Sequence, residues 1–172
     1  MNLRSLGLVL CLPVAVLTAL AKDASPPPNP AIDMEGHLRL SQEAAKHRES
    51  RRISEEEFIR MSREPGTIVL DARSKRNYDK LHIRGAIHLS FPDIAIASLA
   101  GTLPDKNARI LIYCNNNFRG AEDAFPTKIA PASLNLSTYI TLYSYGYRNV
   151  YELAPLIDIE KSRLVFEGSE RE

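Results

Sequence analysis

Short apolar runs separated by longer polar stretches dominate the chain from residue 51 onward. Three of these runs, Thr67–Leu70, Arg109–Tyr113 and Asn149–Leu153, predict buried strands, because strands of a parallel sheet are apolar on both faces. Ala86–Leu89 predicts a shorter fourth strand. The run at Arg109–Tyr113 is the clearest of the four, and it ends directly on a cysteine.

Helical patterns lie between the predicted strands. Ser54–Glu57 has the arrangement of a capping box, a serine with a glutamate three residues later, and Phe58 and Met61 give the helix that follows an apolar side. Ile94–Leu99 and Ala132–Tyr145 predict two further helices. Because strands alternate with helices, the sequence predicts an α/β fold with a parallel sheet covered on both faces.

The first 21 residues have the layout of a secretory signal peptide. Arg4 precedes an apolar run of about 15 residues, Leu6–Leu20, and Ala19-Leu20-Ala21 fits a cleavage site. The run is shorter than the roughly 20 residues that span a bilayer, so we expect cleavage, export to a bacterial periplasm and no stable membrane insertion afterwards. An uncut anchor, or a lipoprotein modified at Cys11, is the alternative.

Residues 22–50 predict a proline-rich arm followed by a short helix. Prolines at Pro26–Pro28 and Pro30 favour an extended chain, and residues 41–49 contain good helix formers after a serine. The apolar side of this helix is thin, so we place it outside the main domain, which we assign to residues 51–172.

Charge excludes two classes of partner. The chain has 22 Lys and Arg against 21 Asp and Glu, and removal of Arg4 with the signal leaves 21 of each. Without a basic surplus, nucleic-acid binding and a general attraction to anionic membranes are not expected. His37, His47 and His88 are scattered without the spacing of a metal site, so no metal is predicted.

Cleavage leaves Cys114 as the only cysteine, since the other, Cys11, lies in the signal segment. An exported protein usually forms disulfides, and a lone cysteine has no internal partner. A buried bystander, an intermolecular partner and a reactive thiol remain open on the count alone. Ligands of parallel α/β sheets bind at the carboxyl ends of strands, where Cys114 lies, and this favours a reactive thiol.

The loop after Cys114 predicts an anion site. A tight turn can direct several backbone N–H groups at one point, and asparagine tolerates the left-handed backbone that such a curl requires. Arg119 adds a positive charge, so we expect the loop to hold a thiolate or persulfide anion. A plain surface turn is the alternative for the asparagines. The predicted substrate-binding residues are Asn115, Asn116, Asn117, Phe118, Arg119 and Gly120.

Three motifs resemble one known family. The Cys-x4-Arg of Cys114–Arg119 resembles the active-site loop of rhodanese-family sulfurtransferases. Tyr78–Leu89 is similar to the family's first signature, with Arg84 in the place of a proline, and Asp71-Ala72-Arg73 resembles the Asp-x-Arg that precedes it. The resemblance covers about residues 51–155 and rests on the order of the three motifs.

The resemblance implies a fold, a reaction and roles. The fold would be the rhodanese-like three-layer arrangement, a short parallel central sheet flanked by helices. Cys114 would be the nucleophile that carries a sulfane sulfur from thiosulfate or a similar anion to cyanide, a small thiol or a protein thiol, with no metal or organic cofactor. Residues 115–120 would form the cradle, and Asp71, Arg73 and His82 would support the scaffold.

Departures from the family pattern keep other readings open. In the family a helix begins at the loop, whereas Pro126 and Pro131 in the segment 121–131 predict a delayed helix here. Phosphatase or arsenate chemistry is disfavoured, because those loops have five residues between cysteine and arginine and this one has four. Disulfide exchange lacks a second thiol. A non-catalytic binding or sensor module is the main alternative.

Overall fold

A computed structural model describes residue 27 and residues 29–170. The predicted signal peptide and most of the proline-rich arm lie outside the described residues. The chain divides at Ile32, and the unit that begins at Asp33 contains all the helices and strands discussed below. No helix in the described part of the chain is long and apolar enough to cross a bilayer.

Five parallel strands form the central sheet. Their bounds are Arg52–Ile53 (β1), Thr67–Asp71 (β2), Ile87–His88 (β4), Arg109–Tyr113 (β5) and Val150–Leu153 (β7). In spatial order the strands are β1, β7, β5, β2 and β4, and all neighbouring pairs run parallel. The sheet confirms the predicted parallel α/β arrangement and adds one edge strand, β1, that the hydrophobic pattern did not indicate.

Helices cover both faces of the sheet. They are α1 (Met34–Glu49), α2 (Glu55–Ser62), α3 (Lys75–Lys80), α4 (Ile96–Thr102) and α5 (Leu134–Ser144). Strand side chains alternate between two cores, so Leu111 and Tyr113 pack in the cluster that contains Phe58 of α2. Ile110 and Ile112 pack on the opposite face, with Ala44 of α1, Leu99 of α4 and Leu142 of α5.

Two pairs of short strands lie beside the central sheet. β3 (His82–Ile83) pairs antiparallel with β9 (Phe166–Glu167), and β6 (Phe118–Arg119) pairs parallel with β8 (Ile157–Asp158). The second pair matters for the site, because it fixes the two residues that end the loop after Cys114.

Helix starts follow capping chemistry. The Ser54 hydroxyl accepts from the Glu57 N–H at 3.2 Å, as the capping motif predicts. The helix predicted over 132–145 runs from Leu134 to Ser144, and Gly146 follows with a positive φ of 94°. Ile94–Leu99 was placed slightly early, since α4 spans Ile96–Thr102.

The helix predicted over 41–49 is longer and belongs to the domain core. Asp33 caps it by accepting from the Gly36 N–H at 2.8 Å, so it starts at Met34. Ala44 is fully buried against the sheet-covering core. Placing this helix outside the main domain was therefore wrong, because small and charged residues, rather than a broad apolar stripe, mediate its packing.

Polar contacts dock the carboxyl end of α1. Arg48 forms a two-pronged ion pair with Glu152 of β7, with Nη2 2.6 Å from Oε1. The hydrogen bond to Glu152 raises the pKa of Arg48 above its ordinary value. His47 Nδ1 lies 2.8 Å from the hydroxyl of Tyr139 on α5. Helix α1 is therefore docked on β7 and α5 through two residues that a hydrophobic pattern does not single out.

Candidate active site

Cys114 follows the middle strand of the sheet. Asp71 of β2 is in register with Tyr113 of β5, so the two central strands end side by side and Cys114 emerges at their carboxyl edge. Its side chain is buried, with 1% of the residue exposed. The Sγ atom lies 3.4 Å from the Oγ of Ser133.

Ser133 is the residue at the start of α5. Its hydroxyl makes no capping hydrogen bond to the helix, so it is free to face the thiol. The N–H groups of a first helical turn have no intrahelical acceptor, and the helix dipole makes that end positive. The prolines of segment 121–131 do delay α5 along the sequence, as predicted, yet a 3₁₀ turn at Ala130–Ala132 brings its start back to Cys114.

Asn117 locks the loop in place. Its Oδ1 accepts from the Cys114 N–H at 2.9 Å and from Asn135 Nδ2 at 3.0 Å. Its Nδ2 donates to the carbonyls of Leu153 at 2.7 Å and Pro155 at 3.2 Å. Because every one of these partners is protein, Asn117 connects β5, β7 and α5 and leaves no side-chain donor for a substrate.

The loop does not use left-handed asparagines. Asn115–Asn117 form a 3₁₀ turn, and no residue other than glycine has a positive φ anywhere in residues 29–170. The predicted left-handed curl was therefore wrong. The physical reason is the side chain of Asn117, which takes up the Cys114 N–H that a curled nest would direct at an anion.

Phe118 and Arg119 lie elsewhere than the cradle prediction placed them. Phe118 is 1% exposed and packs in the core, with ring centroids 4.7 Å from Phe125 and 5.2 Å from Phe166. Arg119 is 62% exposed, and its Nη2 lies 3.7 Å from Asp158. Pairing of β6 with β8 explains both positions, since successive strand residues point to opposite sides. Gly120 follows with a φ of 84° and ends the strand.

Asp71 and Arg73 form a buried ion pair beneath the loop. Both side chains are 0% exposed, and Arg73 Nη2 lies 2.6 Å from Asp71 Oδ2. Arg73 also donates to the carbonyls of Leu81 at 2.7 Å and Ala124 at 2.8 Å. The Tyr113 hydroxyl donates to Asp71 at 2.5 Å, and burial followed by the Asp71 charge raises the pKa of Tyr113 well above its ordinary value.

His82 is likewise held by the scaffold. Its ring stacks on Tyr78 with centroids 3.8 Å apart, and Nδ1 lies 2.7 Å from the Tyr78 carbonyl. Nε2 lies 3.2 Å from Glu167 of β9. Asp71, Arg73 and His82 thus hydrogen-bond to remote parts of the scaffold, and the supporting role that the resemblance implies for them stays a prediction.

Asn116 has a role that the sequence did not suggest. Its Nδ2 donates to the Lys128 carbonyl at 2.6 Å, and the Lys128 N–H donates to its Oδ1 at 3.2 Å. This two-way contact fastens segment 121–131 over the loop. A run of three asparagines indicates a turn but not which distant backbone each side chain reaches, so only the fold reveals the contact.

A pocket of about 440 Å³ opens beside the loop, at the carboxyl edge of the sheet. Ala72 and Phe91 line it after β2 and β4, while Asn115 and Leu134 line it next to Cys114 and Ser133. Segment 121–131 supplies a further part of the wall through Pro126, Thr127 and Lys128. The lining is completed by Arg73, Ser74, Asn77, Ser90 and Pro92. No group of three or more His, Cys, Asp or Glu side chains suited to a metal ion occurs within the residues that the structure describes.

Comparison with known proteins identifies the family to which the chain belongs. The family model of the rhodanese-like domain matches residues 54–154, a span that contains the buried pair, the loop and Cys114. The chain belongs to the rhodanese-like domain family. No curated protein matches the sequence.

Solved structures agree with the rhodanese-like fold. A rhodanese-like domain from an Anabaena sp. protein is 21% identical over 70% of this chain and 81% of that chain, with a TM-score of 0.51. A Bacillus halodurans protein is 23% identical over 75% and 87%, with a TM-score of 0.50. Thiosulfate sulfurtransferase from Pseudomonas aeruginosa is 18% identical over 70% of this chain and 21% of that one, with a TM-score of 0.44. At such identities the likeness concerns the fold of the rhodanese-like domain and not its activity.

Proposed function

We propose that this rhodanese-like domain is a sulfurtransferase that carries sulfur on Cys114. The observation that supports the proposal most directly is the position of the thiol. It lies at the carboxyl end of the middle strand, 3.4 Å from a serine hydroxyl that the adjoining helix does not use for capping. A persulfide needs a hydrogen-bond donor and shelter from water, and this position offers both.

The first half-reaction takes sulfur from thiosulfate or a similar donor. The Cys114 thiolate attacks the outer, sulfane sulfur, and a new S–S bond forms to Sγ. The S–S bond within thiosulfate breaks, and its electron pair leaves with sulfite. The Ser133 hydroxyl then donates to the persulfide sulfur, and the first turn of α5 adds the positive end of its dipole.

The second half-reaction gives the sulfur to cyanide or to a thiol. The acceptor's lone pair attacks the outer sulfur of the persulfide, the bond to Sγ breaks, and its electron pair restores the Cys114 thiolate. The two steps predict ping-pong kinetics. Neither step as written needs a metal or an organic cofactor.

The proposal is tested by the intact mass of the purified mature protein after incubation with thiosulfate. We expect a gain of about 32 Da, one sulfur atom, that Cys114→Ser abolishes and cyanide removes. Ser133→Ala should slow the gain about tenfold or more, because a hydrogen bond to a charged group contributes roughly 1.5–3 kcal/mol. Ser137→Ala, at an exposed position on the same helix, is the matched control. The proposal is wrong if no sulfane-sulfur donor transfers sulfur to Cys114.

A non-catalytic binding or sensor module is the second candidate. Two observations favour it, the 1% exposure of Cys114 and the position of Arg119 beside Asp158 instead of an anion. The discriminating measurement is alkylation of the folded protein by iodoacetamide at neutral pH. Fast alkylation is expected of an enzyme, whereas a thiol that alkylates only in urea belongs to a module that binds and does not turn over.

We also propose export to a bacterial periplasm, on the strength of the sequence of residues 1–21. The test is the mass of the chain recovered from the periplasmic fraction after expression in a bacterium. A mature chain beginning at Lys22 is expected. Recovery of the uncut chain in the membrane fraction would favour an anchor instead.

A further inference from the structure

A second pocket opens at the edge of the central sheet opposite to Cys114. Its walls include the first three residues of β2, 67–69, and the first residue of β4, Ile87, whereas Cys114 follows the carboxyl end of β5. The volume of about 380 Å³ lies within the range of roughly 300–1,000 Å³ that organic ligands occupy. Among the described residues that line this pocket, none belongs to the loop after Cys114, so it is separate from the candidate active site.

Most of the wall of the second pocket is apolar. More than half of the lining residues are isoleucine, leucine or valine. Ile59 of α2, Ile83 of β3 and Leu164 pack in or against the core cluster that contains Phe58. Val165 also lines the pocket and is 49% exposed. A concave apolar wall that reaches solvent in this way suits the hydrocarbon part of a ligand.

Three arginines, Arg63, Arg84 and Arg163, line the same pocket, and among the described residues no acidic side chain does so. Arg163 lies 2.9 Å from Glu56 and Arg84 lies 3.5 Å from Glu167, two acids outside the lining. All four of these side chains are at least 43% exposed. Water screens exposed pairs strongly, so both acids hold their arginines only weakly. The pocket is therefore positively charged.

Arg63 carries the uncompensated charge of the three. Its side chain makes no hydrogen bond, ion pair or ring contact within the part of the chain that the structure describes. The acid next to it in the sequence, Glu64, is engaged by Arg60 and Arg109. A guanidinium offers two parallel N–H donors, and a carboxylate accepts both of them. An unpaired guanidinium beside an apolar wall therefore favours a carboxylate with a hydrocarbon attached.

Two parts of this wall are particular to this chain. Arg84 stands in the place of a proline of the family signature, and residues 163–165 follow the end of the family match at residue 154. Backbone contacts fix both parts. The Arg84 N–H donates to the Val165 carbonyl at 2.8 Å, and the Arg163 N–H donates to Glu55 at 2.7 Å. The arginines thus extend from a fixed frame that the rhodanese-like fold does not by itself provide.

We propose that the second pocket binds a small organic anion with one carboxylate head and an apolar body. Arg63 pairs with the carboxylate, Arg84 and Arg163 add positive charge around it, and Ile59 and Ile83 contact the hydrocarbon. The single unpaired guanidinium matches a monoanion better than it matches a phosphate dianion. Binding here involves no step at Cys114, so the proposal stands whether or not the thiol carries sulfur.

The test uses octanoate as the probe and measures its binding to the purified protein by calorimetry. Octanol has the same chain without the charge, and acetate has the charge without the chain. Both should bind at least about tenfold more weakly than octanoate. Absence of octanoate binding, or equal binding of octanol and octanoate, would overturn the proposal. Octyl phosphate carries a different anionic head, and tighter binding of it would overturn the carboxylate assignment.

Matched variants assign the binding to this pocket. Arg63→Gln should weaken octanoate binding about tenfold, because it removes the unpaired guanidinium and breaks no hydrogen bond or ion pair of the described chain. Val165→Asp puts an acid into the exposed wall and should weaken it at least as much. Arg76→Gln removes the same charge at an exposed position on α3 outside the pocket and should leave the affinity unchanged. Equal affinity of Arg63→Gln and the parent protein would contradict the assignment.

Discussion

At the scale of single residues, Arg73 connects three separate segments of the chain below the candidate site. Its guanidinium is paired with Asp71, donates to two backbone carbonyls and lies 4.1 Å from the centre of the Phe125 ring. A buried cation is tolerated only when its charge and its donors are satisfied. Arg73 thus joins the end of β2, the residue after α3 and segment 121–131.

Replacing Arg73 should lower the free energy of unfolding. Arg73→Met leaves the Asp71 carboxylate buried without its partner, so the free energy of unfolding in urea should fall by about 3–5 kcal/mol. Arg76→Met, at an exposed position on α3, should change it by less than about 0.5 kcal/mol. Adding Asp71→Asn to Arg73→Met should recover part of the loss. A single-variant loss below about 1 kcal/mol would contradict the buried-pair account.

Arg119 should matter less than its place in the motif suggests. Because its side chain is 62% exposed beside Asp158, Arg119→Gln should slow persulfide formation by less than about threefold. The measurement is the rate of mass gain with thiosulfate. A slowing of tenfold or more would show that the guanidinium acts on the sulfur after all, as the sequence motif implies.

At the scale of elements, α1 is held by an ion pair that crosses from its last turn to the sheet. The Arg48 side chain is 23% exposed and that of Glu152 is 6% exposed, so water screens this contact less than it screens a surface pair. The helix has no broad apolar face to compensate for losing it, since Gly36 and Ala44 are its only buried residues.

Removing this ion pair should therefore loosen α1. Arg48→Leu should lower the free energy of unfolding by about 2–3 kcal/mol, between the values for exposed and buried pairs. Arg39→Leu on the same helix breaks only an exposed pair with Glu43 and should cost less than about 0.5 kcal/mol. Equal effects of the two substitutions would mean that α1 is not docked through Glu152.

At the scale of the whole molecule, the packing of α1 on α5 makes stability depend on pH. Burial first, then the charges of Arg51 and Arg148, lower the pKa of His47 below its ordinary 6.5. Its other neighbours are the hydroxyl of Tyr139 and the ring of Tyr143. Burial in turn raises the pKa of Tyr139 to about 12, so this hydroxyl stays neutral.

Acidification should consequently destabilise the fold through His47. As the pH falls below 6.5, His47 becomes protonated in the unfolded chain while it stays neutral in the folded protein. The free energy of unfolding therefore drops. We expect a decrease between about pH 7.5 and about pH 5.5 that is smaller in His47→Gln. His37→Gln, at an exposed position on the same helix, should leave the decrease intact. An increase in the free energy of unfolding on acidification would contradict this explanation.

The placement of Cys114 was predictable from the sequence, and the shape of its loop was not. Apolar runs mark β2 and β5, and parallel pairing then puts residue 114 at the carboxyl edge of the sheet. The loop conformation depends on Asn117, whose acceptors at Leu153 and Pro155 are remote in the sequence. The local preference of asparagine favoured a left-handed backbone, but the hydrogen bonds of Asn117 to distant residues fix a 3₁₀ turn instead.

The two residues that end the Cys-x4-Arg motif also could not be placed from the sequence. In the sequence, Phe118 and Arg119 both belong to one loop, and nothing local marks either as a strand. Their pairing with Ile157 and Asp158 sends one side chain into the core and the other to solvent. Helix α1 was underestimated for a related reason, because it attaches largely through polar contacts that leave no hydrophobic period.

The strand order has a consequence for how the domain is assembled in time. Parallel neighbours cannot be joined by hairpins, so every pair in the central sheet awaits a distant partner. The extreme case is β1, which pairs Arg52 with Glu152 and Ile53 with Leu153. The edge strand that leaves the ribosome first therefore stays unpaired until the last strand of the central sheet has been synthesised.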